Sequence, residues 1–267
     1  MNRLKLGVMA EPLGVPFRQA AAAAAKLGCH GLQIDAAGDL APDKLGDTAR
    51  REIRTVLKGY SLDLAAVGVP LRRGLDTTED QQARIEYVAK AMRLAADLGP
   101  RKVVIPCPAL PADPKSAKAE SLRDALAALA VIGDKLGVRV CVEAGIDPSD
   151  KLVEYLGTFD SDALAVTFDP ANFLANRHDP LDSVTLLGNR VAHVHARDVR
   201  AGAGGAKEVP VGAGDVDWMG FVAALDASGY AGFLVVDRET GDDRPKDISA
   251  GVTFLRRFVD PPEANFR

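Results

Sequence analysis

The chain is poor in the residues that build disulfide scaffolds and multi-metal sites. Its 267 residues include only three cysteines and four histidines. Cys29, Cys107 and Cys141 form no close pair, which argues against a disulfide scaffold or a Cys-based zinc site and suits a reducing compartment. A large charge of one sign is also missing. Lys+Arg number 33 against 37 Asp+Glu, a net of −4, so no basic face is expected for a phosphate backbone and no nucleic-acid partner is expected. Long apolar runs are absent as well. Nothing approaches the roughly 20 residues a membrane span needs, so no membrane partner is expected. In Met1–Ala10 a brief apolar run is cut off by Glu11 and Pro12, so no secretory leader is expected and the cytoplasm is the expected location. What remains is 47% hydrophobic and 26% charged, a globular and not a disordered composition.

Eight short apolar, β-branched runs recur: Leu4–Ala10, Gly31–Ala36, Leu62–Val69, Lys102–Cys107, Val138–Glu143, Leu164–Asp169, Val191–His195 and Gly232–Asp237. Continuous apolar runs of this length suit strands buried on both faces of a parallel sheet. Between them lie helical patterns. The clearest is Thr77–Leu98, with Ile85, Val88, Ala89, Met92 and Ala96 on one stripe and Thr77 or Thr78 as its expected cap. Pro16–Leu27, Pro42–Lys58, Ser121–Leu136, Asp217–Ser228 and Lys246–Val259 repeat it, with shorter helices expected near Ser149–Leu156 and Pro180–Leu187. Leu-Gly recurs at 27–28, 98–99, 136–137 and 187–188, each just before a strand. Glycine past a helix end takes the left-handed conformation without steric cost. Strand–helix alternation implies parallel strands with right-handed crossovers, and eight units in this length predict a single-domain (β/α)₈ barrel over residues 1–267. A doubly wound open sheet is the alternative, but Met9–Gly14 lacks its glycine-rich phosphate loop.

Catalytic residues of such barrels lie at the C-terminal ends of the strands. The second run ends near Gln33 and Asp35, the third runs into Arg72 and Arg73, and the fourth ends at Cys107. The last four end at Glu143, Asp169, His195 and Asp237, with Glu239 just beyond. Three carboxylates and one imidazole around one axis make an oxygen-rich site for a divalent cation. Mn²⁺ or Mg²⁺ is favoured by the oxygens, and the histidine also admits Co²⁺ or Zn²⁺. Such an ion polarises a carbonyl while flanking carboxylates move a proton at the adjacent carbon.

The segments 142–145 (VEAG), 168–172 (FDPAN), 193–198 (HVHARD), 211–217 (VGAGDVD) and 234–239 (LVVDRE) resemble the sugar phosphate isomerase/epimerase family, the xylose isomerase-like (β/α)₈ barrels. The resemblance covers nearly the whole chain. It implies one divalent metal held by Glu143, Asp169, His195 and Asp237, with the carboxylates of the fifth and last strands as the acid/base pair. It departs in two places. The usual last-strand Glu is Asp237, shorter by about 1.5 Å of reach, and Glu239 replaces it only if the strand bulges or ends there. A family histidine three residues after the sixth-strand Asp is Asn172, which binds but does not titrate.

The candidate substrate contacts are Asn172, Arg72, Arg73, Arg197 and His193. Each has a plainer reading. Arg72 and Arg73 form an anion clamp or a solvated loop. Arg197 pairs with Asp198 at the rim, and His193 is a hydrogen-bonded imidazole behind His195. Arg238 reads as a rim charge, Cys107 as a packed thiol and Trp218 as helix packing. Gly/Ala-rich 201–206, with Lys207 and Glu208, reads as a mobile loop over the site. The expected function is metal-dependent isomerisation or epimerisation of a sugar, sugar acid or keto-polyol. The same barrel also carries inosose-dehydratase-like lyases, and a non-catalytic sugar-binding protein is the third reading. Abasic-site DNA endonucleases, also related, are excluded because their zinc sites need about five histidines by family knowledge. Self-association is common in the family and is left open.

Overall fold

The computed structural model describes residues 4–259. The expected domain span runs past it, residues 1–3 and 260–267 lying outside the described residues. Each apolar run becomes a strand. In chain order the first half is β1 (Lys5–Met9), α1 (Phe17–Lys26), β2 (Gly31–Asp35), α2 (Asp47–Gly59), β3 (Asp63–Gly68), α3 (Gln81–Leu98), β4 (Lys102–Ile105) and α4 (Ala117–Leu136). The second half is β5 (Arg139–Glu143), α5 (Ser149–Gly157), β6 (Leu164–Phe168), α6 (Pro170–Ala175), α7 (Pro180–Leu187), β7 (Val191–Ala196), β8 (Asp198–Arg200), β9 (Lys207–Val209), α8 (Trp218–Ala227), β10 (Phe233–Val236) and α9 (Arg244–Val259).

Eight strands close into one parallel barrel in the order β1-β10-β7-β6-β5-β4-β3-β2, while β8 and β9 form a separate antiparallel hairpin. This is the single-domain (β/α)₈ barrel the sequence predicts. Strand geometry sends alternate side chains to opposite faces. One phase meets the helices in a continuous core that includes Leu6, Leu32, Ile34, Val103 and Ile105. The other fills the lumen with small residues, Ala66, Val104, Cys141, Ala165 and Ala192, among which Val104, Cys141 and Ala165 are register partners. The ladder slips between Leu32 and Gln33 and between Val166 and Thr167. The four Leu-Gly glycines all have positive φ, 70°, 108°, 63° and 50° at Gly28, Gly99, Gly137 and Gly188, but Gly188, with ψ of −128°, lies outside the left-handed helical region and leads into a 3₁₀ turn.

Several local expectations are corrected. Thr77 and Thr78 do not cap α3. It begins at Gln81 behind Asp80, whose φ is 52° and whose side chain makes no capping bond. The carbonyls of Thr77 and Glu79 instead accept from the Arg84 guanidinium, which draws 77–80 into a turn. Helix α4 starts four residues earlier than expected, because the Ser116 hydroxyl caps Ala119 N–H. The Pro42–Lys58 segment divides into a 3₁₀ turn at Pro42–Lys44 and α2. Residues 201–206 connect the two strands of the β8–β9 hairpin. Among the described residues no helix is long and apolar enough to cross a membrane.

Candidate active site

The lumen phase turns polar at the C-terminal end of the barrel. Gln33 and Asp35 on β2, Glu143 on β5, Asp169 after β6, His193 and His195 on β7 and Asp237 after β10 all share it, each two residues from another lumen position. The closed sheet therefore gathers side chains that are up to two hundred residues apart in sequence.

Asp169 has both oxygens engaged. It is the N-cap of α6, where Oδ1 accepts from Ala171 N–H at 2.9 Å and Asn172 N–H at 3.4 Å. Oδ2 accepts from Arg197 Nη1 at 3.0 Å. Burial pushes its carboxyl up, opposed by Arg197, His195 and the Ala171 amide. The reading of Asp169 as a turn starter is refined: it starts a helix, with Pro170 at the first position where a missing N–H costs nothing.

Gln33 joins the two histidines. Its Oε1 lies 2.6 Å from His193 Nε2 and 3.1 Å from His195 Nε2. With the carboxamide placed this way both Nε2 atoms donate, which leaves the lone pair of each ring on Nδ1. Burial drives His195 down to about 4 and His193 well below its ordinary value, so both imidazoles are neutral at pH 7. His193 matches its plainer reading, a hydrogen-bonded imidazole beside His195 with ring centroids 5.2 Å apart. Three buried polar atoms in this region, Gln33 Nε2, His193 Nδ1 and Thr167 Oγ1, have no hydrogen-bond partner.

Arg197 is the cation of the mouth. Beyond Asp169, its Nη1 lies 3.0 Å from Glu239 Oε1 and 3.4 Å from Asn172 Oδ1, and its Nε donates to Glu208 Oε1 at 3.1 Å. Burial works against the guanidinium charge, but Asp169, Glu239 and Glu208 outweigh it and hold it above its ordinary range. The expected Arg197–Asp198 pair does not form, since neighbours on an extended strand point to opposite faces. Asp198 is buried instead under the 210–218 loop. Its oxygens accept from the backbone N–H of Val199, Gly212, Gly214 and Val216 and from the Trp218 indole at 2.9 to 3.2 Å. A Cβ at Gly214 would lie 2.1 Å from Asp198 Oδ1, so this close approach requires glycine.

Glu208 is no solvated lid residue. Its side chain is only 7% exposed and accepts from Glu239 N–H at 3.0 Å, Thr240 N–H at 2.7 Å and Thr240 Oγ1 at 2.5 Å. Arg238 Nη1 stands 3.3 Å from Oε2. Burial would raise its carboxyl, but these hydrogen bonds and Arg197 hold it below its ordinary value. Arg238 is likewise buried, with Nε on Asp247 Oδ2 at 2.9 Å, which corrects its reading as a rim charge. Asp237 is buried too, Oδ1 accepting from Arg238 N–H at 2.7 Å.

Five carboxylates (Glu143, Asp169, Glu208, Asp237, Glu239) thus crowd two guanidinium groups. Glu143 shows the imbalance. Burial, then Asp169 and Glu239, push it up to about 7. Asp35 goes up to about 6 through burial, Asp237 and Glu11. Among the described residues no group of three or more His, Cys, Asp or Glu is drawn together as a ready-made metal cluster. Arg72 and Arg73 stand outside the mouth's network, both exposed, Arg73 paired with Glu79 of its own loop. Cys107 is held up to about 12 by burial and by Asp147, Glu143 and Asp76, which suits packing and not nucleophilic attack. From the sequence, Gln33 and Asp35 stand at a strand end without a role, and Glu208 stands on a mobile loop and not within the charge network of the mouth. The signal for the first two was present, since polar residues in the inward phase of a buried strand need a reason.

A closed parallel barrel of eight strands and surrounding helices is the TIM-barrel class, and its buried carboxylates and imidazoles lie on the C-terminal face where that fold places its active sites. The family model for the xylose isomerase-like TIM barrel matches residues 21–258, and the chain belongs to that family. No curated protein matches the sequence. Solved structures do match in fold. A xylose isomerase domain protein from Planctomyces limnophilus superposes with a TM-score of 0.82 at 19% identity, over 96% of this chain and 98% of that one. A D-allulose 3-epimerase from Methylomonas sp. gives 0.75 at 20% identity, over 97% and 99%. A 3-keto-D-glucoside 4-epimerase from E. coli gives 0.77 at 17%, over 95% and 99%. At these identities the likeness is one of fold.

Proposed function

We propose that the protein is a divalent-metal-dependent isomerase or epimerase of a sugar, sugar acid or related keto-polyol. The observation that carries this reading is Glu143. It sits on a strand end in a surplus of carboxylates, its carboxyl pushed up to about 7, with no hydrogen-bond partner of its own among the described residues. A mouth-facing carboxyl that no neighbouring donor holds is placed to take a proton from a substrate carbon and return it. The epimerase names of two fold neighbours agree with this direction.

The donor chemistry fits a divalent ion. Glu143, Asp169, Asp237 and the lone pair of neutral His195 would hold it, and the crowding that raises Glu143 is the charge such an ion neutralises. Bound there, the ion would polarise a substrate carbonyl and orient a neighbouring hydroxyl. Arg197 already holds Asp169, so an ion reaching that carboxylate competes with a guanidinium. The protein's own residues then divide the work. Glu143 removes the proton beside the carbonyl, and Asp237 or Glu239 serves the opposite face. Arg197 and Asn172 present donor groups to substrate hydroxyls, and Gln33 keeps His195 in one tautomer.

The test is proton exchange. Incubated in D₂O with Mn²⁺ and candidate ketoses, the protein should wash deuterium into the carbon beside the carbonyl, and Glu143→Gln should abolish it. Exchange at an unchanged rate in Glu143→Gln would remove Glu143 from the reaction. No thermal shift with Mn²⁺, Mg²⁺, Co²⁺ or Zn²⁺ would remove the metal.

A further inference from the structure

The opposite, N-terminal mouth of the barrel holds a cavity of about 340 Å³. It is lined by Lys102, Arg139, Gly188, Asn189, Ser228 and Tyr230 among others, with no acidic residue in its wall. Lys102 and Arg139 open β4 and β5 and are register partners, so two cations stand side by side in adjacent strands. A third strand-opening cation, Lys5 on β1, is matched by Asp63 at 2.9 Å. Lys102 and Arg139 have no carboxylate or carbonyl partner among the described residues. The hydroxyl protons of the wall are committed inward, Ser228 Oγ to the Leu225 carbonyl and Tyr230 OH to that of Phe233.

Among the described residues this pair of positive charges has no carboxylate partner. Burial lowers the Lys102 amine, and Arg139 and Lys5 lower it further. The group that would oppose them, the Cys141 thiol in the lumen behind, is held up to about 12 by burial and is neutral at pH 7. Two adjacent cations lining an open cavity with no carboxylate in its wall among the described residues are an anion's environment. The cavity lies at the low end of the roughly 300–1,000 Å³ typical of small-molecule pockets, more than a bare ion fills.

We propose that this mouth is a binding site for a phosphate-bearing small molecule, with Lys102 and Arg139 holding the phosphate and the Asn189–Tyr230 wall facing the remainder. It is separate from the carboxylate mouth and stands whether or not the proton-transfer reading does.

The experiment is calorimetric titration of the full chain in EDTA at constant ionic strength, with glycerol 3-phosphate, inorganic phosphate and glycerol as probes. Saturable binding of glycerol 3-phosphate but not glycerol is expected. Tighter binding of the ester than of inorganic phosphate shows that the whole cavity is used, and equal binding shows a site for the phosphate group alone. The first supports the proposal, and the second overturns the role given to the wall. Arg139→Gln and Lys102→Met should each weaken binding by about tenfold or more, the scale of one charge-assisted hydrogen bond. Glu143→Gln at the other mouth should leave it unchanged. Arg139 is exposed, so its variant folds even if the lysine variant does not. Absence of saturable heat with both phosphates, or wild-type affinity in Arg139→Gln, overturns the site.

Discussion

Glu143 carries a cost that pH reveals. Its folded carboxyl titrates near 7 against an ordinary 4.5. The folded protein therefore binds the proton more tightly than the unfolded chain, and stability falls as pH rises from about 4.5 to about 7, then levels. Above that range the loss is at most on the order of 3 kcal/mol. Glu143→Gln should remove it. Urea unfolding in EDTA should show the variant more stable than wild type at pH 8 and equal to it near pH 4.5. Saturating Mn²⁺ should reverse the order at pH 8 by favouring the ionised glutamate. A variant no more stable at pH 8 would mean that Glu143 is not crowded. The residue-level surprise is Arg197, whose i+2 relation to His195 puts it in the lumen phase, where it meets Asp169, Glu208 and Glu239.

Among the elements, the β8–β9 hairpin does the most to shape the mouth. A hairpin of two three-residue strands is marginal by itself. Here Glu208 anchors it by reaching across to the segment after β10, while Asp198 anchors the 210–218 loop that follows. The geometry of Glu239 thus depends on a residue thirty-one positions earlier. Glu208→Ala leaves Arg197 with Asp169 and Glu239 and Arg238 with Asp247, but removes the acceptor of the Glu239 and Thr240 amides, and should destabilise the protein by about 1 to 3 kcal/mol. Hydrogen exchange should localise the damage, with the Glu239 and Thr240 amides losing protection while β4 and β5 keep theirs. Unchanged protection at those two amides would mean that Glu208 does not hold this segment.

For the whole molecule, closure creates two mouths of opposite chemistry. The C-terminal mouth concentrates carboxylates, whereas the N-terminal mouth is basic and partly plugged by Phe233. A Cβ at Gly31 would lie 2.4 Å from the Phe233 ring and 2.9 Å from the Asp63 carbonyl, so glycine opposite phenylalanine is the fit that closes this end. The Lys5 ammonium lies 5.3 Å from the ring centroid. Phe233→Ala should cost about 3 to 5 kcal/mol in urea unfolding, the range for a buried aromatic. Mn²⁺ affinity measured by titration should not change, because the mouths are separated by the packed lumen layer. A matching loss of metal affinity would show that the two ends are coupled.

Much of this was legible before folding. Eight apolar runs and the four Leu-Gly stops determine the barrel, because period and chain stiffness are local properties that tertiary packing had only to accept. The strand-end residues Glu143, Asp169, His195 and Asp237 were legible for the same reason: in a barrel, position along a strand is position along the axis. What only the tertiary structure decided is who pairs with whom around that axis. Arg197 faces Asp169 and not Asp198, Glu208 is buried under the last strand's loop, Arg238 is internal, and Gln33 bridges two histidines about 160 positions away. Electrostatic partners are set by distance through space, and only the closed sheet brings those residues within reach of one another.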